Sequence, residues 1–108
     1  MKKLLILLLL FIPLVSFGQT LPKKISETEF SIGKSIKIES KILDEIRDLN
    51  IYLPLNYSAD SLKTYPVVFL LDGSKDEDFI HISGIVQFGS FSWINMVPES
   101  IVVGIGNV

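Results

Sequence analysis

The chain has 108 residues, a formal net charge of −2, 48% hydrophobic residues and no cysteine. Disulfides and attachment of lipid to a cysteine are excluded, and a mildly acidic chain lacks the basic stripe that nucleic-acid binding needs. The length suits one small domain, and neither an internal repeat nor a low-complexity tract is present.

The first residues read as an address. Lys2 and Lys3 form a short positive region, Leu4 to Val15 is apolar apart from Pro13, and Ser16-Phe17-Gly18 places small residues at the −3 and −1 positions before Gln19. This is the pattern of a secretory signal peptide, and the apolar run is shorter than the roughly 20 residues of a spanning helix. The expectation is a signal peptide over 1–18, cut between Gly18 and Gln19, with no stable membrane anchor afterwards and a secreted or periplasmic location in a bacterium. Loss of Lys2 and Lys3 leaves eight of the ten basic residues against twelve acids, a net charge of −4.

Residues 19–31 are polar, with Pro22 and paired lysines, and read as an arm; residues 32–108 read as the folded domain. In the second half of Phe30 to Glu39, Ile36 and Ile38 alternate with Lys37 and Glu39, the period of a half-buried strand. Asp44-Glu45 reads as part of a polar connection. Leu49, Ile51 and Leu53 then share one face, with Asn50 and Tyr52 on the other, until Pro54 removes a ladder donor. Two such strands close in sequence predict an antiparallel pair at a sheet edge.

The polar loop Asn56 to Ser61 contains the sequon Asn56-Tyr57-Ser58, which carries meaning only in a eukaryotic secretory pathway. Val67 to Leu71 follows, bounded by Pro66 and by Asp72-Gly73. Its continuous apolar character predicts a central strand covered on both faces. Ser74-Lys75-Asp76-Glu77 matches a capping box, and Asp76, Glu77 and Asp78 suit the positive end of a helix dipole. Phe79, Ile82 and Val86 stand at helical spacing and predict the face that packs on the sheet. Gly89 to Ser92 weakens that helix, and Pro98-Glu99 breaks the chain before Ile101 to Ile105, a second buried strand. The last three elements form a βαβ unit with parallel strands and a right-handed crossover. The fold class is α/β: an antiparallel hairpin followed by a parallel βαβ unit.

Ligands of open α/β sheets bind outside the carboxyl ends of the strands, which directs attention to Asp72-Gly73-Ser74. Asp72 and His81 are the expected pocket-lining side chains. His81, the only histidine, sits on the predicted helix and is a poor candidate for a general base. Asp76, Glu77 and Asp78 read as capping and solvated charge rather than metal ligands. Phe88, Phe91 and Trp93 could line an acyl pocket, but aromatics near a helix end more often belong to the core. Gly104-Ile105-Gly106 after a strand is the opening of a dinucleotide fingerprint, weak on its own and at odds with export.

In order and spacing, Ile51-Tyr52-Leu53-Pro54, Asn56-Tyr57, Tyr65 to Gly73, Val97-Pro98 and Ile101 to Asn107 resemble the opening of the α/β-hydrolase superfamily. More narrowly they resemble the group that includes esterase D and the siderophore esterases. The resemblance covers roughly residues 32–108 and implies the N-terminal part of an α/β-hydrolase sheet. It also implies a serine nucleophile on a Gly-x-Ser-x-Gly elbow, an acid and a histidine. No serine of this chain lies in Gly-x-Ser-x-Gly. By the family order the elbow follows the next strand, beyond Val108. The expectation is therefore the front of an exported serine carboxylic-ester hydrolase, with no catalytic residue in this chain and no activity of its own. The implied substrate is a small-molecule ester, with no metal or organic cofactor. The alternative is a catalytically inert secreted α/β fragment or binding module.

What the resemblance leaves within the chain is half of an oxyanion hole. One donor in such folds is a backbone N–H in the loop after the third strand. Ser74 N–H takes that place here, and Gly73 lets the backbone bend close to a substrate. Losing one such donor costs on the order of 3 kcal/mol of transition-state stabilisation. An apolar sheet with one flank unpaired also predicts poor solubility of the mature chain alone.

Overall fold

The computed structural model describes residues 2–3, 18 and 20–107. The expected signal peptide and its cleavage point fall almost wholly outside these residues. Among the described residues no helix is long and apolar enough to cross a membrane. Residues 20–31 carry no regular structure and are exposed.

Four strands and one helix follow. They are β1 (Lys34–Ser40), β2 (Glu45–Tyr52), β3 (Val67–Leu71), α1 (Phe79–Gly89) and β4 (Ile101–Ile105). The sheet order is β1-β2-β4-β3. β1 and β2 are antiparallel, β4 is antiparallel to β2, and β3 runs parallel to β4 with Val67 opposite Ile101 and Leu71 opposite Ile105. The mixed sheet read from the sequence, with 67–71 and 101–105 side by side and codirectional, is the one observed.

β2 begins earlier than the sequence suggests. Glu45, expected in a polar connection, already pairs with Ser40. The reversal is tight because Asp44 takes a left-handed backbone (φ 53°), which a short polar side chain tolerates. The Ser40 hydroxyl also accepts the Leu43 N–H at 3.2 Å.

Residues opposed across a ladder share a face, so the register sorts the side chains. Ser35, Asn50, Gly104 and Leu70 form one row, and Tyr52, Val102 and Val68 the next, both on the side that α1 covers. Tyr52, Val102, Phe79 and Val86 make the buried core, with Val68 and Ile82 packed against it. The predicted helical face is thus the observed one. Ser83 sits buried between helix and sheet, its hydroxyl without a partner among the described residues.

The opposite face is apolar and open. Ile36, Leu49, Ile105 and Leu71 form one row there, and Ile51, Val103 and Phe69 another. Phe69 and Leu71 keep 70% and 73% of their surface. β3, expected as a central strand, is the edge of this four-stranded sheet and is covered on its helix side only. The run Val67 to Leu71 gives the strand correctly, but a continuous apolar run does not say which neighbours cover it.

The capping box does not form. The helix starts at Phe79 with Asp78 at its cap and no side-chain cap bond, and its first turn holds no acid. The Ser74 carbonyl, rather than its hydroxyl, accepts the N–H groups of Glu77 (3.1 Å) and Phe79 (3.4 Å). Residues 74–78 are therefore spent on a turn that lifts the chain from the end of β3 onto the sheet.

At the other end of the sheet, Lys63 and Asn56 both hydrogen-bond the Glu99 carboxylate. This ties the loop after β2 to the segment that leads into β4. The Lys63 bond, with Asn56 adding to it, holds the Glu99 carboxyl below its ordinary value. A lowered folded-state pKa gives stability that is complete above the unfolded-state value and fades as pH falls through the folded one. In the whole protein, Glu99→Gln is expected to lower Tm slightly at neutral pH. The difference from the parent should vanish as the pH is taken down through the titration range of Glu99, as a series of melts against pH would read.

Candidate functional site

The carboxyl ends of β3 and β4 lie side by side, and Asp72-Gly73-Ser74 arches over them. Asp72 has φ 54°, the left-handed turn that stops β3. Its carboxylate accepts the Asn107 side-chain N–H at 2.9 Å, so residues past the end of β4 hold the loop that follows β3. Asn107 also reaches Glu77 at 3.5 Å.

Gly73 lies directly on Gly104 of β4. A Cβ on Gly73 would stand 2.3 Å from the Gly104 Cα and 2.7 Å from the Ile105 nitrogen. Only glycine at both positions permits this approach. The Gly73 N–H donates to the Ile105 carbonyl at 3.0 Å. Its carbonyl accepts from Asn50 Nδ2 at 2.8 Å. Gly73 N–H is therefore occupied, and among the described residues Ser74 N–H has no acceptor.

The other sequence candidates separate. Asp72 is on the loop, but His81 lies on the exposed side of α1, lining a groove with Ile80, Ile85, Phe88 and Met96. The two expected pocket-lining side chains are not brought together. Asp76, Glu77 and Asp78 are exposed on the turn before α1. Phe88 and Trp93, expected in the core, keep 57% and 74% of their surface. Phe91 stacks on Trp93 with centroids 4.5 Å apart, and Phe88 meets Phe91 edge-on. Phe91 and Trp93 help line a cavity of about 480 Å³ with Tyr52, Asn56 and Glu99, at the opposite end of the sheet from Ser74. Burial, and then the Glu99 charge, push the Tyr52 phenol up.

Asn50 was not singled out from the sequence as a site residue. Its signal was available: an amide in mid-strand, where apolar and β-branched residues are favoured.

Comparison with known proteins agrees with this architecture. The IroE-like serine hydrolase from Shewanella oneidensis superposes with a TM-score of 0.62 at 43% identity, over 70% of this chain and 23% of that one. The BES protein from Bacillus cereus gives 0.58 at 26% identity, over 78% of this chain and 30% of that one. A ferulic acid esterase at 22% identity shares the fold, with a TM-score of 0.54 over 70% of this chain and 32% of that one. The chain thus spans about a quarter to a third of the length of these structures. No family model matches it, and no curated protein does. The mixed sheet with its βαβ unit is an α/β-hydrolase sheet. In that sheet the chain is similar to a serine hydrolase and, in fold, to a ferulic acid esterase.

Proposed function

We propose that this chain forms the front of an exported serine carboxylic-ester hydrolase and supplies one of its two oxyanion donors. The observation that carries the proposal is the Ser74 N–H. Among the described residues it stands without an acceptor, on a loop pressed against the carboxyl ends of two parallel strands, in a fold shared with a serine hydrolase. A tetrahedral intermediate places its oxyanion against fixed donors of this kind. The second donor, the nucleophile and its base come from elsewhere in such enzymes, and no serine here sits in the elbow motif. The substrate is a small-molecule carboxylic ester, cleaved through an acyl-enzyme. The basic, apolar start of the chain supports export, which would leave the site in the periplasm or outside the cell.

The reading frame downstream of Val108 is expected to encode Gly-x-Ser-x-Gly within a few dozen residues. Its product should hydrolyse p-nitrophenyl acetate with an acyl burst, while the 108-residue chain alone shows only solvent background. A burst from the 108-residue chain would overturn this reading, and a stop codon directly after Val108 would favour the inert alternative.

A further inference from the structure

We propose that Asn50 is a positioning residue that aims the Ser74 N–H at the substrate. The inference rests on the reading of Ser74 as an oxyanion donor and deepens it.

Asn50 lies in the middle of β2 and is 4% exposed. Burying an amide there is costly unless its groups are bonded. Both ends are: the Ser35 hydroxyl donates to Oδ1, and Nδ2 donates to the Gly73 carbonyl. A carbonyl can only accept, so the Gly73 contact fixes which end of the amide faces the loop.

The reach depends on the neighbour. Gly104 stands opposite Asn50 in β4. A Cβ there would fall 2.5 Å from the Gly73 oxygen. The missing side chain leaves the opening through which Asn50 crosses β4 to a loop that belongs to β3.

The consequence follows from the peptide unit. The bond between Gly73 and Ser74 is trans, as no cis peptide occurs among the described residues. In a trans peptide the C=O and the next N–H point in opposite directions across a rigid plane. Asn50 draws the Gly73 carbonyl inward, so the Ser74 N–H is turned outward. The Gly73 N–H, bonded to Ile105, fixes the preceding peptide. The donor is thereby oriented before any substrate arrives, the condition under which a dipole contributes most to the transition state.

A cycle in the whole enzyme separates this role from simple packing. Replacing the Ser74 backbone amide by an ester deletes the N–H, though it also weakens the Gly73 carbonyl as an acceptor, and is expected to lower kcat about 10²–10³-fold. Asn50→Ala should lower kcat about 10–100-fold, less than outright loss of the donor, with KM nearly unchanged. In the ester background Asn50→Ala should cost little more, because it acts through the missing N–H. Additive losses would overturn the proposal, as would a defect confined to KM or to the fraction folded. An ester variant with unchanged kcat would instead remove Ser74 from the oxyanion hole, and the proposal with it. If Asn50→Ala fails to fold, the isosteric Asn50→Asp takes its place in the same cycle. Its carboxylate keeps the acceptor for Ser35 and loses the donor for Gly73.

Discussion

Alanine at Gly104 is expected to prevent β3 and β4 from closing beneath the Asp72–Ser74 loop, with a loss of stability on the order of 3 kcal/mol or more. The added methyl would meet the Gly73 oxygen at 2.5 Å and Phe79 Cδ2 at 2.7 Å. The ring can swing aside at the expense of core packing. The oxygen cannot, because it accepts from Asn50 while the N–H of the same residue is tied to the Ile105 carbonyl. Relief requires lifting the loop, which breaks both bonds and leaves a buried amide unpaired. Gly73→Ala should be at least as severe, since its methyl would meet only the backbone of Gly104 and Ile105. Gly84→Ala is the matching control. Nothing lies within 4 Å of its Cβ position on α1, and removing a helical glycine should stabilise by roughly 0.5–1 kcal/mol. Denaturant unfolding of the whole protein measures all three. An unchanged midpoint for Gly104→Ala would mean that the loop does not rest on β4.

The second large effect concerns the open face of the sheet. The rows Ile36–Leu49–Ile105–Leu71 and Ile51–Val103–Phe69 form one continuous apolar surface, and it runs out to the edge strand β3. Soluble monomers rarely leave contiguous apolar patches beyond a few hundred Å² uncovered, and an exposed apolar edge strand is a template for pairing. Residues 19–108 expressed alone are expected to associate, to bind a dye such as ANS, and to melt without a sharp transition. Light scattering and calorimetry read each outcome. Phe69→Lys with Leu71→Glu should recover much of the monomer, because these two side chains are the most exposed on the strand. The same pair in the whole protein should be destructive, since it would place charges where the rest of such a fold packs. A monomeric chain with a reversible, cooperative melt would refute this account.

The strands and the helix were legible because their periods are local properties of the chain. Ile36 and Ile38 gave β1, the apolar run from Val67 gave β3, and Phe79, Ile82 and Val86 gave the inner side of α1. The parallel pairing also followed, since a strand, helix and strand in succession have few ways to pack. What escaped was decided by partners distant in sequence or by backbone angles. The start of β2 turned on the left-handed Asp44. The capping box at Ser74 matched in letters, but the carbonyl of that residue had already taken the amides the hydroxyl would have sought. Asn50 looked like a residue on the polar side of an edge strand. Its use became visible only when β4 brought Gly104 beside it and Gly73 above it. Ser74 was found through resemblance to a family, and the pinned Gly73 amide then explains why Ser74, rather than its neighbour, is the donor to test.

The sheet order also constrains how the protein is born. β4 is the last of the four strands to leave the ribosome, yet it occupies the slot between β2 and β3. The β1–β2 hairpin spans a short stretch and closes quickly, whereas β4 must return over about fifty residues to reach β2, a slower search. Until it arrives, two strand edges stand bare and the Asp72–Ser74 loop has no floor beneath it. During that interval the bare edges and the apolar rows beside them are the surfaces of a nascent chain most open to aggregation.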